Sequence, residues 1–361
     1  MAKKKAVRSA KKNKSINKFG VRKVLWALLI ILGISLLGSF IYLYGKVFKP
    51  NLVLQAAQKG YVYVKTTDSF QDVVQHLVDR QMLTNKESFI WMAEFLDYDK
   101  KVRPGRYAVK NGMNNKDLIL LLRSGKQEPL RITFKSIRTK FELAGKVGQL
   151  LEADSTGLLD LMNSSAFEDK YGLDPENAMS LVIPDTYEFY WNTTNETFVE
   201  KMGKFYLDFW TEERKSKAAA IGLTPAKASV MASIVQQESA RKEEWPIIAG
   251  VYMNRFNKGM KLQADPTVVF AVGDFSIRRV RSNHLAVNSP YNTYMYKGLP
   301  PGPIYLAGKQ CIDAVLEYQR HNYIYFCARP DGSGLHDFAN TYDEHLRNAR
   351  NYQRRLNERG I

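Results

Sequence analysis

Val24 to Tyr44 is a run of 21 residues without a charged side chain. As a helix rising about 1.5 Å per residue it would span about 30 Å, the thickness of a bilayer's hydrocarbon core. Trp26 near one end and Tyr42 and Tyr44 near the other are amphipathic rings of the kind that favour a membrane interface. A cleaved signal peptide is the rival reading, but its apolar region is shorter, about 7 to 15 residues, and ends in a small-residue cleavage site. Here only Gly38-Ser39 offers one, and Tyr42-Leu43-Tyr44-Gly45-Lys46 follows. The pattern predicts an uncleaved transmembrane helix over 24–44.

Beyond it the pattern changes to short periods. Tyr61 to Lys65 alternates as a strand, and Asp68 or Ser69 can cap a helix with Phe70, Val73, Val74 and Leu77 on one face. A second helix is expected at about 86–96, and Arg103-Pro104-Gly105 turns into a strand over 106–109. Strand, helix, helix, strand within about fifty residues resembles a LysM-type glycan-binding module. Leu118, Leu121 and Leu122 mark another amphipathic helix, stopped at Ser124-Gly125. A strand at 130–134 then opens a mostly helical stretch to about 220, with one long helix expected over 197–215. These patterns divide the chain into a basic arm (1–23), the transmembrane helix (24–44), the LysM-like lobe (50–130), a connecting lobe (131–220) and a last domain (221–361).

Charge sharpens the topology. Of 53 Lys+Arg against 36 Asp+Glu, ten lie in residues 1–23, which hold no acid, so the rest of the chain is only +7. A nucleic-acid binder carries its basic stripe on the folded domain; with the excess on an N-terminal arm, nucleic acid is not an expected partner. The arm should stay in the cytoplasm by the positive-inside rule, with everything after about Gly45 outside the cytoplasm. Cys311, on an expected helix, and Cys327, on an expected strand, could pair in an oxidising compartment or remain buried thiols. The five histidines form no metal-ligand spacing, so neither metal nor cofactor is implied.

Candidate chemistry concentrates in the last domain. Thr224-Pro225 starts a helix, with an apolar stripe at Val230, Met231, Ile234 and Val235 whose next position is Glu238. A carboxyl there would be buried and its pKa raised, as a general acid requires. Alternatively the helix has ended, or Glu238 pairs with Arg241 at its rim. Trp245-Pro246 opens a second helix that stops at Gly259, and Asp265-Pro266 can cap a third; Gln263 has no structural reason to be there. The polar aromatic segment Ser289-Pro290-Tyr291-Asn292-Thr293-Tyr294 suits sugar faces and hydroxyl edges, or is an ordinary surface loop.

Taken in order, several stretches resemble the endolytic murein transglycosylases of the YceG-like family: Pro184-Asp185-Thr186-Tyr187, Ala232 to Ser239, Asn254-Arg255, Gly259 to Thr267, Ser289 to Tyr294 and Gly298 to Gly302. The similarity extends from about Tyr61 to His336-Asp337-Phe338 and His345. It departs in two places. The family's Glu-Gly upstream of Pro184 is replaced by Met179-Ser180, and the acid that relatives often carry just before the catalytic glutamate falls in Gln236-Gln237.

The resemblance implies that Glu238 is catalytic; Gln263, Tyr291, Asn292 and Thr293, and more weakly Asp265, are candidates for sugar contacts or for steadying an oxocarbenium-like state. It implies an α+β protein with a mainly helical catalytic domain, held in the cell membrane and cutting peptidoglycan strands without a cofactor. Peptidoglycan synthases are candidate partners. A muramidase using Asp265 or Glu188 as second acid, and a membrane-tethered glycan-binding scaffold, are the alternatives.

Overall fold

The computed structural model describes residues 18–55 and 60–358; most of the basic arm lies outside them. It divides into two compact units between Glu128 and Pro129. The fold is mixed α and β, with about half of the chain helical.

The first unit begins with α1 (Lys18–Phe48), which extends past both ends of the 24–44 run. Its segment Arg22–Phe48 is long and apolar enough to cross a membrane, and the apolar stretch within it is unburied. There follow β1 (Tyr61–Val64), α2 (Phe70–Asp79), α3 (Lys86–Phe95), β2 (Gly105–Ala108) and α4 (Asn115–Ser124). β1 and β2 pair antiparallel, Val62 opposite Tyr107. Of the two candidate caps for α2 the structure uses Ser69, whose hydroxyl accepts from Asp72 N while the Asp72 carboxylate accepts from Ser69 N. Asp68 instead accepts from Lys65 N in the preceding turn. Val62, Val64, Val73, Leu77, Phe89 and Leu118 are among the buried residues of this unit's core.

The second unit runs through β3 (Leu130–Thr133), α5 (Lys140–Leu150), α6 (Ser155–Met162), α7 (Ser165–Tyr171), a 3-10 turn (Ala178–Leu181) and β4 (Thr186–Phe189). Next come α8 (Asn195–Phe209), α9 (Glu212–Ala220), α10 (Pro225–Glu238), α11 (Trp245–Asn257), α12 (Asp265–Val272), α13 (Ser282–Leu285), α14 (Lys309–Leu316), β5 (Tyr325–Ala328), β6 (His336–Ala339) and α15 (Tyr342–Glu358). One hydrophobic core extends from Ile132 to Leu316 without a break near 220.

The expected 197–215 helix is two helices. Buried Trp210 leaves helical geometry (φ −80, ψ 67), and the Thr211 hydroxyl caps α9 by accepting from Arg214 N. The partner of β3 is β4, with Ile132 opposite Tyr187. Cys311 and Cys327 are both free, one buried and one half-buried.

α10 is the axis of this unit. An amphipathic stripe was expected, but every residue from Ala228 to Val235 is buried, as befits a helix packed on all sides. Small side chains permit that: Ala228 and Ala232 let neighbours approach, and Ser229 and Ser233 return their hydroxyls to the helix's own carbonyls at Pro225 and Val230. Ser233 Oγ also accepts from Ile304 N, and Cys311 Sγ of α14 donates to Ala232 O at 3.3 Å.

α11 lies beside α10 and makes an equally close approach on its far side. A methyl group at Gly250 would stand 2.4 Å from Gln319 O and 2.6 Å from His321 Nε2. Neither neighbour can yield freely, because His321 Nε2 is bonded to Ile247 O (2.9 Å) and Gln319 N donates to Pro246 O (3.0 Å). We expect Gly250→Ala to push α11 off this segment and cost about 1–3 kcal/mol despite alanine's better helix propensity. A thermal melt checks it; an unchanged or raised Tm would show that the helix shifts without cost.

Candidate active site

The Thr224 hydroxyl accepts from Lys227 N and opens α10, and Pro225 occupies its first turn. The other end is Glu238. Ser239 then turns extended (φ −138, ψ 133) and is tied down from three directions. Its hydroxyl donates to Glu244 Oε2 (3.0 Å) and accepts from Arg241 N (3.0 Å), and its carbonyl accepts from Trp245 Nε1 (2.9 Å). The Arg241 guanidinium reaches Ser333 O, so Glu238 is not the partner of Arg241 at a rim. The helix does end at Glu238, yet the carboxyl still points into protein.

Glu238 opens on one side to a cleft of ≈ 430 Å³ that Tyr252, Arg255, Gln263, Asp265, Tyr294 and His336 help to line. Tyr252 Oη donates to Glu238 Oε1 at 2.5 Å, and among the described residues nothing bonds Oε2. Burial raises the carboxyl pKa to about 7; the Tyr252 hydrogen bond and the Arg255 charge pull it down, and the Asp265 carboxylate pushes it up. The negative end of the α10 dipole acts in the same direction as burial. Glu238 therefore exchanges a proton near neutrality.

Arg255 holds the cleft floor together. Its guanidinium donates to Ile324 O (2.6 Å), Leu262 O (2.7 Å) and Gln263 Oε1 (3.2 Å) and lies over the Tyr325 ring. Carbonyl oxygens thus compensate a charge that is 8% exposed. Gln263 sits in left-handed geometry (φ 51), uncommon for a side chain with a Cβ. Asp265 is the first residue of α12 and makes no cap; it accepts from Tyr294 Oη at 2.6 Å.

The structure brings Gln263 and Asp265 to the cleft with Glu238 and keeps three other candidates away from it. Asn292 is fully buried: its amide donates to Leu285 O and Val287 O, and its oxygen accepts from Tyr294 N. Buried Thr293 accepts from Ala264 N and bonds Thr267 Oγ1 at 2.8 Å. Tyr291 packs on Phe270, with ring centroids 4.7 Å apart. These three hold the 289–294 loop so that Tyr294 reaches Asp265. Glu188 is exposed on β4 opposite Arg131 and does not line the cleft.

The C-terminal hairpin and α15 supply residues to which the sequence pattern gives no role in the site, although His336 and His345 mark the end of the resemblance. Buried Glu244 accepts from His336 N (2.7 Å) and meets His336 Nδ1 (2.8 Å), fixing β6 against the end of α10. Phe326 of β5 packs edge-on to Tyr252, and His345 of α15 stacks on Tyr325. An acid in contact with a histidine 92 residues away leaves no periodic trace. Among the described residues no cluster of His, Cys, Asp and Glu could hold a metal ion.

These features define a cleft protein built around one protonatable carboxyl group at the end of a buried helix. The chain belongs to the YceG-like family, whose model matches residues 62–351. It is similar to proteins named endolytic murein transglycosylase: 35% identical over 179 residues to one from Bacillus subtilis, covering 49% of each chain, and 26% identical over 348 residues to one from Streptococcus pneumoniae, covering 86% of this chain and 62% of that one. The chain thus spans about half of the length of the first of these relatives and 62% of the second. A crystal structure of a YceG-like protein from Listeria monocytogenes superposes with a TM-score of 0.53 at 25% identity, over 80% of this chain and 98% of that one.

The Tyr252 bond favours the ionised form of Glu238, and hydrogen bonds to charged groups are worth about 1.5–3 kcal/mol. We expect Tyr252→Phe to raise the Glu238 pKa from about 7 by roughly one to two pH units. A carboxyl-carbon NMR titration reads this directly; a pKa that stays or falls would remove Tyr252 from the site's electrostatics.

Proposed function

We propose that this chain is a membrane-anchored endolytic lytic transglycosylase that cuts the MurNAc–GlcNAc bond within peptidoglycan strands. The observation that carries the reading is Glu238: a carboxyl with a pKa near 7 and one oxygen open to a cleft, in a chain similar to proteins named endolytic murein transglycosylase.

Protonated Glu238 delivers its proton from Oε2 to the glycosidic oxygen as the C1–O bond of MurNAc breaks. The resulting carboxylate then takes the proton of that sugar's 6-hydroxyl, whose oxygen closes on C1. The product is a 1,6-anhydro end, and Glu238 regains its proton. An intramolecular hydroxyl has a high effective concentration, so no second acid is needed to position water. Tyr252 keeps Oε1 occupied throughout, and Gln263 and Asp265 face the developing oxocarbenium ion. Asp265 also carries the second reading, a hydrolytic muramidase with Asp265 activating water; in a glycan-binding scaffold neither acid would act.

In the membrane reading, 1–23 is a cytoplasmic arm, 24–44 the anchor, 50–130 a LysM-like lobe that holds glycan, 131–220 a connecting lobe and 221–361 the catalytic domain, outside the cytoplasm. Cutting strands at that level would limit nascent strand length close to the synthases that make them.

Glu238→Gln should abolish anhydro-muropeptide release by the full chain in detergent, since loss of general acid help alone costs about a hundred- to ten-thousandfold. Activity of the parent should fall as pH rises through about 7, because only the acid form starts the reaction. The raised pKa means that the folded state holds this proton more tightly than the unfolded one, so ionisation between the ordinary carboxyl range and pH 7 costs stability. Glu238→Gln should therefore melt at or above the parent at pH 8 and lose that advantage at pH 5. Mass spectrometry of digests distinguishes anhydro ends, reducing ends or no cleavage. Anhydro release by a folded Glu238→Gln protein above a tenth of the parent rate would refute the mechanism.

Topology has its own test. A reporter that works only outside the cytoplasm, fused after Ile361, should be active in cells; a stable, full-length and inactive fusion would reverse the orientation.

A further inference from the structure

The cleft has a second half that the proposed reaction does not use. From Glu238 and Asp265 it continues past Gln237 to Arg138, Phe275, Arg278 and Arg279, with a volume of ≈ 660 Å³. Arg138 is held in place: its guanidinium donates to Gln237 Oε1 (3.2 Å) and lies 4.6 Å from the Phe275 ring centroid and 5.6 Å from that of Tyr305. Arg278 and Arg279 are exposed on the segment between α12 and α13. Among the described residues no carboxylate is within ion-pair distance of any of these three guanidinium groups. Among the described residues, the acids lining this half are Glu238 and Asp265, at its junction with the first.

We infer that this half is a subsite for the free carboxylates of the peptide stems borne by muramic acid. The inference rests on the reading of Glu238 as the residue that cuts next to that sugar. The GlcNAc units and the glycosidic linkages carry no charge, so the sugar backbone gives no reason for three guanidinium groups without a carboxylate partner. Carboxylates do, because the planar fork of arginine matches them in two parallel hydrogen bonds. Position agrees with chemistry. The stem leaves muramic acid through C3 of the same ring whose C1 is cut, so it begins within one sugar ring of Glu238 and must lie along one half of the cleft. Arg138, pinned beside Gln237, would meet the root of the stem, and Arg278 and Arg279 its outer carboxylates.

The test uses the full chain in detergent with Glu238→Gln, so that strands are bound and not consumed. Two ligands differ at the stem carboxyl groups: uncrosslinked strands with acetylated amino groups, their stem carboxylates either free or converted to uncharged methylamides. We expect the free-carboxylate strands to bind about tenfold more tightly at low salt, as suits two or three solvent-exposed ion pairs. Arg278→Gln combined with Arg279→Gln should lose most of that preference and leave methylamide binding unchanged; both sites are exposed, so the fold should hold. Equal loss on both ligands, no loss on either, or an effect seen only on phosphatidylglycerol vesicles would overturn the subsite. Absence of any cleavage by the parent would instead count against the reading of Glu238, and the binding contrast would still decide the role of the arginines.

Discussion

A carboxyl group at the end of a buried helix is an awkward thing to keep, and much of the second unit is arranged around that cost. Burial and the helix dipole both favour the acid form of Glu238, and the Asp265 carboxylate adds to them. Left alone, those influences would hold the proton to higher pH. Tyr252 and Arg255 work in the opposite direction and bring the group back to about 7, where either protonation state is accessible. Both come from α11, so the position of one helix beside another sets the chemistry. That is why the glycine at 250, which faces away from the cleft, belongs to the same problem: it lets α11 sit close to the 319–321 segment.

The same constraint explains the polar bonds that surround the helix end. The backbone after Glu238 must leave the helix sharply, and a buried chain turn needs partners for its donors and acceptors. Ser239, Glu244, Trp245 and His336 supply them to one another. The arrangement secures the C-terminal hairpin to the end of α10 and closes one wall of the cleft. Arg255 does the corresponding work on the floor, where two separate chain segments, at 262–263 and 324, present carbonyl or amide oxygens to one guanidinium.

What was legible in the sequence follows from range. The start of α10, the glycine stop after α11, the capped helices of the first unit and the long apolar α1 depend on neighbours a few residues apart, and periodicity or capping chemistry reveals them. Glu238 stood out because an acid occupied a position where a core residue was due. The break between Phe209 and Glu212 was missed because Trp210 continues the apolar pattern; the bend comes from burial of that ring and the Thr211 cap. β4 pairs with a strand more than fifty residues earlier and has no local signature beyond alternation over four residues. Asp265 looked like a cap because Asp-Pro so often is one, and Asn292 and Thr293 looked like sugar ligands because polar side chains in a loop usually face water. Here they replace water for buried backbone groups, which composition alone cannot distinguish.

The wall supplied by β5, β6 and α15 has a consequence in time. Ribosomes deliver α10 and α11 well before Tyr325, His336 or His345, and until the hairpin docks, Glu238 stands in an open notch. Water there would restore the ordinary acidity of a carboxyl group, and the proton needed near neutrality would be gone. A half-made chain, or one that loses β5, β6 and α15 to proteolysis, would keep Glu238 and lack the wall that shields it from water.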